Sequence, residues 1–385
     1  MGAILCLILW LHGAVFIPSG DPTRDKVNRP RADFMMFYGS ARLIETSPHQ
    51  LYDIGPQGEA QKAATGLDIS ANDLDFLPYP YPAVVALTIV PLTLWGYKTA
   101  YAMMLLINFV LLGTTIWLLS ERLNLDRASN ELLVLCATAS MSVYATLLQG
   151  QVSFFALLLV VLVVTNLRDG NNARAGIWAG FLAFKPTLLP VWLFWFTMRR
   201  RWAALKCAAA VSGAIALMSI LIVGVDGTRA YASLSQGMMR GDFRTVLPND
   251  MPTLRAVTYF LGFPDSVWIV AVAILLFVIS KTMPSQDCEY CAVIVASILG
   301  APHMHPQDLV LLLVVVAMLL VNIEVISRRT TWVFVGIILS QAVARGLFAG
   351  ENGNHWPVLP ISLIGVLAYL LHRARNTVTN VAATT

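Results

Sequence analysis

The sequence predicts an all-α polytopic membrane protein, and three observations carry that prediction. Hydrophobic residues fill 57% of its 385 positions and charged residues 12%, where a soluble domain carries about a quarter charged. Mean hydropathy is +0.68, so the polar surface is too small to coat a globule of this length and the surplus apolar surface must face lipid. The basic residues leave a net charge of only +4 and gather at the ends of apolar runs. That is the pattern of membrane topology, not of nucleic-acid binding.

Apolar runs fall at about 3–18, 83–96, 99–119, 131–148, 152–167, 174–184, 187–198, 203–224, 265–281, 288–300, 306–323, 331–349 and 357–371. Several are shorter than the ~20 residues of a perpendicular span, which predicts broken, re-entrant or polar-ended helices. Residues 3–18 lack a basic n-region and a small-x-small cleavage site, and read as a retained helix rather than a signal peptide. Basic groups at Arg122 and Arg127, Arg168 and Arg174, Arg199 to Arg201 with Lys206, Lys281, Arg328 and Arg329, and Arg373 and Arg375 give a consistent path when all are cytoplasmic. The outer connections are then 19–82, Gly150-Gln151, 225–264, 301–306 and 350–357, with Lys185-Pro186 at the outer tip of a hairpin. The path closes if 83–96, opened by Pro78-Tyr79-Pro80-Tyr81-Pro82, is re-entrant or interfacial. About 12–13 transmembrane or re-entrant helices result, in one domain over 1–375 followed by a disordered tail at 376–385. None of the five cysteines lies in the outer loops, so no structural disulfide is expected, and Cys288-x-x-Cys291 has no second pair for zinc.

Polar groups are costly in lipid, so the outer segments are where function is sought. Asp33 follows the first apolar run and heads a segment, 33–46, with helical apolar spacing that suits an amphipathic helix lying on the membrane. A carboxylate there is favoured by the helix dipole. Local sequence leaves open whether it caps the helix or does chemistry. Ala301-Pro302-His303-Met304-His305-Pro306-Gln307-Asp308 sets two histidines and an acid at the mouth of an apolar helix. Those groups suit proton transfer or phosphate binding, or else the prolines simply make a tight turn with solvated histidines, whereas His-x-His is too short a spacing for a metal site on one helix face. Asp308 begins that helix and sits at or below the interface. Lys185 inside an apolar hairpin either pairs with an anion or snorkels. The amides of Gln149-Gly150-Gln151 either contact sugar hydroxyls or merely face water in a turn. Mixed charges in 225–264 read as ordinary surface, with one arginine able to reach a phosphate, and Arg345 within 331–349 must face the protein interior or a cavity.

Taken in order, these pieces resemble the polyprenyl-phosphate-sugar-dependent glycosyltransferases of the membrane-embedded C-type fold, and most closely glycosyltransferase family 87, which includes bacterial mannosyltransferases. The resemblance rests on Asp33-Phe34 with Tyr38 and Ala41, Leu51-Tyr52-Asp53, Tyr79-Pro80-Tyr81-Pro82, Gln149-Gly150-Gln151, Ala175-Gly176 through Gly180 to Lys185-Pro186, the arginines 199–201, and Pro302 through His305 to Asp308-Leu309. It covers roughly residues 1–325. Members commonly show a Tyr-Pro-Pro stretch where this chain has Tyr79-Pro80-Tyr81-Pro82, and Tyr-Asp-Leu where it has Gln307-Asp308-Leu309. The resemblance implies inverting, single-displacement transfer of a mannose-like hexose from a polyprenyl-phosphate carrier to a glycolipid or glycan hydroxyl. The work would be done on the outer face of a bacterial inner membrane, with no cofactor and no metal. It makes Asp33 the general base and His305 a second catalytic group, with Tyr38, Gln151, Lys185, His303 and Asp308 as substrate contacts. Lys185, His303 or His305 would neutralise the leaving phosphate. Two rival readings are a lipid or sugar transporter, which predicts inverted repeats and midplane acids, and a polysaccharide polymerase or ligase with an arginine-dominated loop at 225–264.

Overall fold

The computed structural model describes residues 33–66, 76–243, 251–282, 286–321, 361 and 363–365. The helix expected at 3–18, the segment at 331–349 with Arg345, most of 357–371 and the tail at 376–385 lie outside the described residues. Among the described residues every regular element is helical. The described chain begins with α1 (Phe34–Thr46), a 3₁₀ turn (Pro48–Gln50) and α2 (Ile54–Thr65). Then come α3 (Ala83–Ile89) with a 3₁₀ extension (Val90–Leu94), α4 (Tyr97–Arg122), α5 (Arg127–Ala139), α6 (Met141–Gln149), α7 (Ser153–Arg168) and α8 (Asn172–Phe181). The chain continues through α9 (Leu189–Met198), α10 (Trp202–Arg240), α11 (Leu254–Phe260), α12 (Asp265–Thr282), α13 (Gln286–Leu299), a 3₁₀ turn (Pro306–Leu311) and α14 (Leu312–Val321).

Helices α4 and α10 are each long and apolar enough to cross a membrane, and the pair α5–α6, bent by 53°, makes a third such element. The apolar stretches Ala83–Leu94, Ser153–Arg168, Leu189–Met198 and Pro306–Val321 are shorter, as the short apolar runs predict. Large apolar side chains stand exposed on α4 (Leu106, Phe109, Val110, Trp117), α10 (Leu217, Leu221, Val225) and α12 (Ile269, Val270, Ile274, Phe277). Those faces have the chemistry of lipid contact. Helices α13 and α14 are almost wholly buried and form the centre of the molecule.

Two sequence expectations change in the folded chain. Helix α1 does not lie on a bilayer with one face in lipid. Phe34 to Ala41 and Leu43 are all buried beneath α2 and α3, leaving Arg42 and Glu45 at the surface as an ion pair. The stretch 225–240, read as loop, is helical. Only Gly224, at φ 72° and ψ −175°, breaks α10, and the polar residues beyond it continue the helix past the apolar stretch. Gly176 and Gly180 set the α8–α10 crossing. A Cβ on Gly176 would stand 2.2 Å from the Ala204 carbonyl oxygen, and one on Gly180 would stand 2.8 Å from that of Ala208. Small residues here let two backbones meet, as they do between membrane helices.

The two ends of the bundle differ in chemistry. Helix α7 begins at Ser153 and ends at Arg168, and its 16 residues span roughly 24 Å at ~1.5 Å per residue. At its Arg168 end the basic residues find acids. Arg168 pairs with Asp287 at 3.2 Å, Arg199 with the buried Glu289 at 2.7 Å, and Arg122 with Asp169 at 3.6 Å. Trp195 Nε1 also donates to Glu289, while Arg201 lies over the Trp195 and Tyr290 rings. At the Ser153 end the cavity opens.

Candidate active site

Two helix junctions build the floor of the cavity. The first is the turn between α6 and α7. Gly150 takes φ 60°, the left-handed conformation that closes a helix at low cost only in glycine. A Cβ at Gly150 would come within 2.9 Å of Phe34 Cβ. Its absence lets the start of α1 rest on the turn. The flanking amides then reach Asp33. Gln149 Oε1 accepts the Asp33 backbone N–H at 3.0 Å, and Gln151 Nε2 donates to Asp33 Oδ2 at 2.5 Å. The second junction is the turn leading into the Pro306 3₁₀ helix, where Gln307 Nε2 donates to the same oxygen at 3.2 Å. Asp33 therefore does not cap α1. Its backbone is already helical and its side chain makes no capping bond.

Asp308 has a different set of partners. It forms an ion pair with Lys185, accepts from Ser153 Oγ at 2.5 Å, and accepts the His305 N–H at 3.2 Å. The last of these is half of a capping box between His305 and Asp308. One carboxylate thus joins the α8–α9 connection, the start of α7 and the His-Pro turn. Lys185 is buried, and Asp308 takes one of its three N–H donors.

These groups line a cavity of about 270 Å³. Asp33, Gln151, Lys185, His303, His305, Gln307 and Asp308 form its polar side. Tyr81, Tyr231, Met36, Met238 and Met239 with Pro78, Pro80, Pro186, Pro190 and Pro302 form an apolar side. Asp33 keeps some surface open to the cavity. Burial raises its carboxyl above the ordinary range, against the Gln151 hydrogen bond and the positive His305 and Lys185. Burial also holds His303 well below the usual imidazole range, helped by His305, Lys185 and Arg255. Its Nδ1 is buried without a hydrogen-bond partner among the described residues, and its ring meets that of His305 edge-on at 4.5 Å.

Six of the seven residues singled out in the sequence meet at this cavity: Asp33, Gln151, Lys185, His303, His305 and Asp308. Tyr38 does not. Its hydroxyl donates to the Trp95 carbonyl at 2.9 Å and its ring packs on Phe34 and Tyr97, so it braces α1 from behind. Three assignments are refined. Gln151 lines the cavity and donates its amide to the Asp33 carboxylate. Burial disfavours a positive charge on His303. Lys185 shares its charge with Asp308. The sequence reading missed Gln307, Ser153, Tyr81 and Tyr231. Among the arginines of 225–264, Arg255 is buried against Asp265 and the carbonyls of Met239 and Pro302. Arg229 and Arg240 are spent on surface pairs with Asp226 and Asp242. None of the three lines the cavity, so the arginine-rich loop of a polymerase has no counterpart there among the described residues. Nor do the described residues contain three His, Cys, Asp or Glu side chains placed to hold one metal ion.

Compared with known proteins, the chain matches the family model of glycosyltransferase family 87 over residues 79–321, well over half its length. No curated protein and no solved structure matches it.

Proposed function

The chain belongs to glycosyltransferase family 87, and from that premise we propose that it moves a mannose-like hexose from a polyprenyl-phosphate carrier to an acceptor hydroxyl at the outer face of the membrane. The observation that carries this reading is the contrast between the two cavity carboxylates. Asp308 is neutralised by Lys185, whereas Asp33 faces neutral amides and keeps its basicity. Pairs of acids pushed apart by their surroundings mark acid–base roles. Asp33 is the general base. It takes the acceptor proton as the acceptor oxygen bonds to the anomeric carbon, on the face opposite the leaving group. The bond from that carbon to the phosphate oxygen breaks, its electron pair stays on the phosphate, and polyprenyl monophosphate departs. The configuration inverts in this single displacement.

The two N–H donors of Lys185 that Asp308 does not take meet the leaving phosphate, with His305 beside them. His303, whose ring meets that of His305 edge-on, helps to shape this side of the cavity. Tyr81 and Tyr231 supply flat apolar faces against which a sugar ring packs. Family membership favours this transfer chemistry over transport.

The test is label transfer by the purified protein in lipid nanodiscs, given radiolabelled polyprenyl-phosphate-mannose and a membrane lipid extract from the host. Wild type should move label to a new glycolipid and Asp33→Asn should not. A folded Asp33→Asn protein that retains full transfer removes the assignment.

A further inference from the structure

The hydrogen bonds to Asp33 are lopsided. Gln151 and Gln307, from segments far apart in the chain, both donate to Oδ2, at 2.5 and 3.2 Å. Among the described residues no donor reaches Oδ1. The Asp33 main chain is fixed separately by Gln149. We propose that Gln151 and Gln307 form an amide clamp that reserves Asp33 Oδ1 for the acceptor proton, which makes both glutamines positioning residues of the transfer reaction. The inference rests on the reading of Asp33 as base.

The Gln151 amide is held in one orientation, and the Gln307 main chain is held in place. Gln151 Oε1 accepts the Val152 N–H at 3.3 Å and the Tyr81 hydroxyl at 3.4 Å. With its oxygen so occupied, its amide nitrogen must face Asp33. The Gln307 carbonyl accepts from Thr146 Oγ1 at 3.1 Å, and its turn is closed by the Asp308 N–H to the His305 carbonyl at 3.0 Å. Both glutamines are buried. The choice of amides has a chemical reason. A base must be ionised and still bind a proton. A cation against Oδ2 would secure the charge and weaken the base, whereas neutral donors stabilise the carboxylate with less loss of basicity. In the reaction the acceptor O–H proton passes to Oδ1, and the electron pair of that O–H bond becomes the new bond to the anomeric carbon. Oδ2 stays with the amides throughout.

The experiment uses full-length protein in nanodiscs carrying Gln307→Met, which removes the donor at similar size, or Gln307→Glu, which replaces it with an acceptor. Difference infrared titration of the Asp33 carboxyl band, parent minus Asp33→Asn, reads the clamp without turnover. The pH dependence of kcat/KM with polyprenyl-phosphate-mannose reads it in the reaction. Losing a donor disfavours the carboxylate. The Asp33 midpoint and the acid limb of kcat/KM should therefore both move to higher pH, by about one unit in Gln307→Met and further in Gln307→Glu, with activity recovering at high pH. The other charged groups bearing on Asp33 are Lys185, His305 and Asp308, and they are unchanged in both variants. Gln151→Met reads the same shift from the other amide if a Gln307 variant fails to fold. A midpoint and limb unmoved in the folded variants overturn the clamp, even where activity falls evenly at all pH values. Transfer retained by Asp33→Asn would instead overturn the base assignment beneath it.

Discussion

Burying the Asp33 carboxyl raises its pKa in the folded chain above its value in the unfolded one. The sign of the linkage follows. This group favours folding fully below its unfolded pKa, and the contribution is lost as pH rises through the folded pKa. Asp33→Asn should therefore melt at a higher temperature than the parent at neutral pH while losing transfer, and the gap should narrow as pH is lowered toward 5. Thermal unfolding in nanodiscs at both pH values checks this. Asp308 should behave oppositely. Asp308→Leu strands Lys185 as a buried, uncompensated cation, with an expected cost of about 3–5 kcal/mol. Adding Lys185→Met should restore the melting temperature without restoring transfer. Much of the cavity's charged lining was legible in the sequence, because charged or imidazole side chains amid apolar runs announce themselves. Gln307 and Ser153 did not, since neutral polar groups barely perturb hydropathy and their partners lie 274 and 155 residues away. Tyr38 was placed at the site for the converse reason: a tyrosine five residues after Asp33 points to another face of the helix and does not line the cavity.

At the scale of elements, two glycines carry different burdens. Gly150→Val requires a β-branched residue at positive φ and drives its side chain into Phe34. The displaced amides should release Asp33, so transfer should fall at least tenfold while the bundle remains folded. Gly176→Val places a side chain against the Ala204 backbone and should part α8 from α10, lowering the melting temperature whether or not substrate is present. Turnover and unfolding measured side by side separate the two. The sequence marked both positions, the first as a turn between apolar runs and the second among the residues that carry the family resemblance. It misplaced the end of α10, because hydropathy stops at the membrane edge and a helix need not. It misjudged α1 as well, since amphipathic spacing reads the same whether the apolar face meets lipid or α2 and α3.

The whole molecule has a carboxylate-bearing cavity at one end and arginine–acid pairs at the other, separated by helices of near-membrane length. If the cavity faces outward, Glu59→Cys on α2 should react with an impermeant maleimide in right-side-out vesicles of a cysteine-free parent, and Arg200→Cys should react only after lysis. Equal labelling of both would reverse or undo that sidedness. The composition made the membrane class plain, but assembly is another matter, since the cavity draws on segments from Asp33 to Asp308. A ribosome delivers those segments in order. While only α1 to α9 have been made, Asp33 still lacks Gln307, and Lys185 lacks the acid that balances it. The unfinished protein is thus an inert one, and a chain truncated before residue 307 should be cleared by membrane proteases that recognise its stranded lysine, never having touched a substrate.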